Sequence, residues 1–235
     1  MKKILISLVS VVVFFTTSAF AKQVTLLMDW FPQGNQSGYW QAEFDNRYHT
    51  DVTIKVKAGG PKVNTTTAVA SGQVEFGLQA SDSVMLANAK GAGLKGIFVS
   101  LDHVPYTLVY HPNTGVNSVK DLDGRPFAVK MGVTYWKWVK HTYGLNNVKE
   151  FPLTGDLGLF ARTPQQFQQG YSLFLPARLD AKGVANEQIT VESLGYRPYS
   201  VLFTSDKMIK ENPELVQAVV DRLSISFQKS LVDPK

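Results

Sequence analysis

The chain has no cysteine, which excludes disulfides, thiolate metal sites, thiol nucleophiles and a cysteine-linked lipid anchor. Histidine is scarce, four among 235 residues, and His49, His103, His111 and His141 show none of the spacings that metal ligation needs. No Ser–His–Asp order, phosphate-binding glycine loop or paired acids stand out. Lys and Arg outnumber Asp and Glu by a net +5, yet they form no stripe interleaved with aromatics, which leaves nucleic-acid binding without support. Beyond the N-terminal segment no apolar run is long enough to span a bilayer. Internal repeats and low-complexity tracts are also missing.

The N-terminal segment itself reads as an export signal. Lys2 and Lys3 form its basic end, Ile4 to Phe15 its apolar stretch, and Ala19-Phe20-Ala21 a small-x-small cleavage site. Residues 1–21 are therefore expected to be removed after Ala21, leaving an unanchored chain in the periplasm of a Gram-negative cell. The remaining length suffices for one large domain or two modest lobes.

The most informative stretch is Leu26 to Trp40. An apolar, β-prone run, Val24 to Met28, is broken by Pro32, Gly34 and Asn35. A buried strand thus delivers Asp29 and Trp30 to its carboxyl end, where α/β proteins place ligand sites. Gln33, Asn35 and Ser37 add polar pointers, and Tyr39 and Trp40 add flat apolar faces, the mixture a small-ligand pocket uses. The competing reading makes the tryptophans core residues and Asp29 a turn cap.

Further along, Asp51 to Lys57 alternates as a half-buried strand. Asn64 caps a short helix that Gly72 stops. Val74 to Gln79 is a strand, Ser81-Asp82-Ser83 opens a helix to Lys90, and Leu94 to Leu101 is another strand. This strand–helix alternation predicts an α/β unit with a largely parallel sheet. The second half repeats the scheme: a strand over Pro126 to Lys130, a helix over Thr134 to Tyr143, a strand over Val148 to Leu153. An irregular loop over Gly155 to Thr163, a short helix over Pro164 to Gln169 and a strand over Tyr171 to Leu175 are expected next. On the helix from Thr134, Tyr135, Trp138, Val139 and Thr142 share a core-facing stripe. Trp136 falls off it, toward solvent or a cleft. Asn212-Pro213-Glu214 opens the last helix.

Four motifs, in order, resemble a known family. They are Leu27-Met28-Asp29-Trp30-Phe31-Pro32 with Gly38 and Tyr39, then Ala68 to Gly77, then Ser118 to Arg125, and finally Asn212 to Val216. They are similar to those of the ABC-transporter solute-binding proteins of the NMT1/THI5-like group, which includes binders of thiamine pyrimidine precursors, riboflavin, alkanesulfonates and nitrate. The resemblance implies a type II periplasmic-binding-protein fold, an α/β architecture of two lobes joined by two hinge strands. One lobe would comprise residues 22–107 plus 201–235, the other 112–198, with crossings near Thr107–His111 and Pro198–Val201. It implies a monomer that binds a small ligand between closing lobes and hands it to a permease at the inner membrane. No cofactor is implied. Asp29 and Trp30 match positions where a polar contact and a ring stack on a heterocycle are expected, and Asn35, Tyr39, Ser81, Asp82, Tyr106 and Trp136 complete the candidate ligand set. For Ser81 and Asp82, helix capping is the competing role. Leu175 stands where heterocycle binders often carry an acid. The chain also ends soon after its last helix, where relatives usually continue, so either a trimmed variant or absent C-terminal helices are expected.

With an aromatic pocket and an acid, a neutral or cationic heterocycle, such as a thiamine pyrimidine precursor, is expected over nitrate or a sulfonate. Two other readings stay open. One is a pyrimidine synthase of the same fold, which consumes its own histidine and uses iron and pyridoxal phosphate, although its cysteine-rich motif is absent. The other is a binding-only sensor that serves no transporter.

Overall fold

A computed structural model describes residues 22–48 and 52–232. The expected export signal lies outside these residues. The first half runs β1 (Lys22–Leu27), α1 (Ser37–Phe44), β2 (Val52–Lys57), α2 (Thr65–Ala70), β3 (Phe76–Ala80), α3 (Ser81–Asn88) and β4 (Leu94–Leu101). The second runs β5 (Tyr106–Tyr110), β6 (Pro126–Val129), α4 (Thr134–Tyr143), β7 (Lys149–Pro152), α5 (Leu157–Arg162), β8 (Phe167–Tyr171), α6 (Leu175–Asp180) and β9 (Glu187–Thr190). The chain then returns through β10 (Ser200–Ser205), α7 (Asp206–Glu211) and α8 (Pro213–Val232).

Two five-stranded sheets result, in the orders β2-β1-β3-β10-β4 and β7-β6-β8-β5-β9. They share one plan. In the first, β1 runs parallel to β2 and β3, and the returning β10 lies antiparallel between β3 and β4. In the second, β6 runs parallel to β7 and β8, and the arriving β5 lies antiparallel between β8 and β9. Each lobe thus contains one antiparallel strand that follows directly on a crossing. The crossings occupy residues 102–105 and 191–199; Tyr106–Tyr110, β-like in sequence, is a fully buried strand of the second sheet, so the first crossing lies just before the expected Thr107–His111.

The alternation in β1 and β2 puts Val24, Leu26, Ile54 and Val56 into the first core, where Val219 and Leu223 of α8 cover them. In the second core Phe127 of β6 stacks on Phe167 of β8, centroids 4.1 Å apart. Trp136 joins them, tilted against Phe127 at 4.5 Å and 2 % exposed. Its expected place facing a cleft or solvent is corrected: α4 buries an arc that takes in Tyr135, Trp136 and Val139, while Trp138 is only half-buried. A short helix lying on a sheet covers more than the narrow stripe its spacing marks.

Three further expectations fail between residues 155 and 180. The loop after Gly155 contains α5, capped by Asp156, whose side chain accepts from the Gly158 N–H at 2.8 Å. The glutamine-rich segment expected as a helix is β8, and the strand expected over Tyr171 to Leu175 gives way, after Tyr171, to a turn and the helix α6. Glutamine has little β preference of its own, but this strand is paired on both sides and buried, so ladder partners decide its conformation. Gly170 permits a close approach: a Cβ there would sit 2.4 Å from the Leu175 side chain.

Candidate functional site

The parallel strands β1, β2 and β3 of one lobe and β6, β7 and β8 of the other end toward a common cleft. A cavity of about 1170 Å³ fills it, lined from both lobes. Its floor on the first lobe is Asp29-Trp30, where β1 stops. The loops after β1 and β2 are joined there by Met28 N–H donating to the Lys57 carbonyl and Gly59 N–H donating to the Trp30 carbonyl, both at 2.9 Å. Gly59 is required by this closeness, since a Cβ would fall 2.1 Å from the Met28 carbonyl oxygen.

From the second lobe, Lys130 follows β6 directly. Its N–H donates to Gln169 Oε1 of β8 at 2.8 Å. Its Nζ reaches across the cleft, donates to the Asp29 backbone carbonyl at 3.3 Å and lies 5.5 Å from the centroid of the Trp30 ring. Burial pushes the Asp29 carboxyl up from 3.8 to about 6, with the Lys130 charge pulling the other way. Burial likewise lowers the Lys130 ammonium, which Asp29 partly restores. Beside them Tyr106 stacks on Tyr135 at 4.4 Å and meets Tyr171 edge-on at 5.6 Å. Desolvation holds all three hydroxyls well above the usual tyrosine value, so they stay neutral hydrogen-bonding groups.

Of the candidates named from sequence, Asp29, Trp30 and Tyr106 line this cavity. Asn35 sits in a 3-10 turn behind Gln33 and Gly34, which do line it. Tyr39 is fully buried against Phe227 of α8 in the first-lobe core, ring centroids 4.9 Å apart. Ser81 and Asp82 lie at the start of α3 and tie it to the returning crossing. The Ser81 hydroxyl oxygen accepts from Tyr199 N–H at 3.0 Å, and the Asp82 carboxylate accepts from the Tyr196 hydroxyl at 2.6 Å. Ser83, next on α3, does line the cavity and meets Thr134 of α4 at 3.3 Å, another link between the lobes.

Sequence reasoning missed Lys130, Gln168, Gln169, Tyr171, Phe174 and Arg178, all of which line the cavity. Lys130 was within reach, because it stands at a strand's carboxyl end just as Asp29 does. Gln168 and Gln169 were hidden by the helix expected there.

Residues 35–235 match the profile described as NMT1/THI5 like. The chain belongs to the NMT1/THI5-like family. Among curated relatives, this NMT1/THI5-like chain is 23% identical over 234 residues to the riboflavin-binding protein RibY of Chloroflexus aurantiacus, covering 91% of this chain and 64% of that one. It is 27% identical over 116 residues to a 4-amino-5-hydroxymethyl-2-methylpyrimidine phosphate synthase of Legionella pneumophila, covering 46% of this chain and 34% of that one. The chain therefore spans less than two thirds of either protein's length. Its fold is similar to that of the periplasmic aliphatic sulphonate binding protein SsuA of Escherichia coli, with a TM-score of 0.69 at 14% identity, over 91% of this chain and 71% of that one. The architecture is the periplasmic-binding-protein fold, as its two lobes and two crossings require.

Proposed function

We propose that this chain is the soluble receptor of an ABC importer, taking a small ligand with a planar heterocyclic ring between its lobes and delivering it to a membrane permease. The carrying observation is the cleft itself: a large cavity built at the carboxyl ends of parallel strands from both lobes, with an indole and a buried carboxyl at its floor. An indole face suits a flat ring, and a carboxylate accepts from ring or amino N–H groups. Closure would be driven by a ligand touching both lobes at once. The family membership and the riboflavin-binding relative support this reading. The N-terminal signal supports a periplasmic location, and among the described residues no helix is long and apolar enough to cross a membrane. The thiamine pyrimidine precursor belongs to the same proposal as one candidate ring.

The test is tryptophan fluorescence of the purified protein, titrated with 4-amino-5-hydroxymethyl-2-methylpyrimidine, thiamine, riboflavin, taurine and nitrate. A saturable change with a heterocycle, abolished in both Trp30→Ala and Asp29→Ala, is expected. Full affinity in both variants overturns the proposed pocket. The synthase-named relative supports an enzyme reading over only a third of that protein's length. An absorbance change on adding iron and pyridoxal phosphate would favour that reading.

A further inference from the structure

The sequence pointed to a neutral or cationic ring because Asp29 was the charge visible near Trp30. The assembled cleft has a different balance. Among the described residues lining it, Asp29 is the one acid, against four bases, Lys62, Lys90, Lys130 and Arg178. Three of these stand exposed at the rim, whereas Lys130 is half-buried and reaches the floor. Its ammonium donates to a backbone carbonyl, and among the described residues no carboxylate stands within ion-pairing distance of it. Asp29 acts on it at longer range but forms no direct ion pair with it, so this partly desolvated ammonium keeps hydrogen-bonding capacity for an incoming anion. It also lies beside the face on which a ring would rest, 5.5 Å from the Trp30 centroid.

We infer that Lys130 makes the Trp30 face of the cleft select for negatively charged ligands, so that a planar ring on the indole carries a carboxylate, phosphate or sulfonate directed at the ammonium. A cationic ring is repelled from the same place. Lys130 is thus the specificity-determining residue of the cleft, and because it comes from the second lobe, an anion bound to it also links the two lobes. The inference rests on the receptor reading above, but its primary test needs no cognate ligand.

That test is quenching of Trp30 by iodide, caesium and acrylamide, with the Trp30 signal taken as the difference between the wild-type protein and Trp30→Phe. The Lys130 charge at this distance, screened by solvent and salt and partly opposed by the more buried Asp29 carboxylate, should favour iodide over caesium by roughly twofold relative to neutral acrylamide. In Lys130→Met the ratio should fall toward one, and in Lys130→Arg it should persist. Lys130→Gln serves if the methionine variant fails to fold, and the wild-type ratio is informative without any variant. Caesium quenching as well as or better than iodide in the wild type, or a ratio unmoved by Lys130→Met, overturns the inference. A second arm compares riboflavin with riboflavin 5′-phosphate, which share one ring system and differ in charge. The phosphate should bind roughly tenfold tighter, and only while Lys130 is present; equal or weaker binding of the phosphate overturns the inference. Binding of neither excludes the flavin ring only, and the quenching ratio still decides the charge.

Discussion

Gly59→Ala is the substitution with the sharpest structural consequence for the site. The added Cβ would lie 2.1 Å from the Met28 carbonyl oxygen and 2.5 Å from both Asp29 C and Trp30 N. These are backbone atoms, so no side chain can turn aside. To restore ordinary contact, the loop carrying Asp29 and Trp30 must move by roughly 1 Å. Overpacking of this kind costs about 1–3 kcal/mol, and loss of the bond from Gly59 N–H to the Trp30 carbonyl adds about 1 kcal/mol. In a protein of this size that lowers Tm by about 5–15 °C. Because the displaced residues form the floor of the cleft, ligand affinity should fall by roughly tenfold or more. Gly60→Ala is the control, since its Cβ would meet only the Phe31 ring, at 3.3 Å, and that ring can swing away. Thermal melting and fluorescence titration of the two variants make the comparison. A Gly59→Ala protein that melts and binds like the wild type, or a Gly60→Ala protein equally damaged, refutes the close-approach argument.

Asp29→Asn should separate stability from binding. The Asp29 carboxyl is raised from 3.8 to about 6 in the folded protein, so between roughly pH 4 and pH 6 the native state holds a proton that the unfolded chain has lost. Stability then falls as pH rises through that window, by about 3 kcal/mol in all. The asparagine variant escapes this loss: it should melt above the wild type at pH 7.5 and converge with it near pH 4, while ligand binding weakens. An identical gap at both pH values would count against burial as the cause. Tyr196→Phe removes the hydroxyl that donates to the Asp82 carboxylate at 2.6 Å. Calorimetry should show a loss of about 1–3 kcal/mol, and an unchanged Tm would mean that this bond between α3 and the returning crossing contributes nothing.

The family and its two-lobed plan were legible from short-range patterns: the apolar run of β1, the alternation in β2, the Asn64 cap, the Asn212-Pro213-Glu214 helix start, and motifs in fixed order. These signals are local because side-chain period, capping and turn chemistry act over a few residues. Asp29 and Trp30 were legible for the same reason, standing where a strand breaks. Tertiary structure decided what those signals could not carry. It turned Gln168 and Gln169 into a central strand because neighbours on both sides supply the hydrogen bonds. It sank Trp136 and Tyr39 into cores, since aromatic burial depends on what packs over the ring rather than on helix phase. Most consequentially, it brought Lys130 to the Asp29 carbonyl across 101 positions of sequence. The charge a ligand meets in the cleft is a sum over both lobes, and only their juxtaposition determines it.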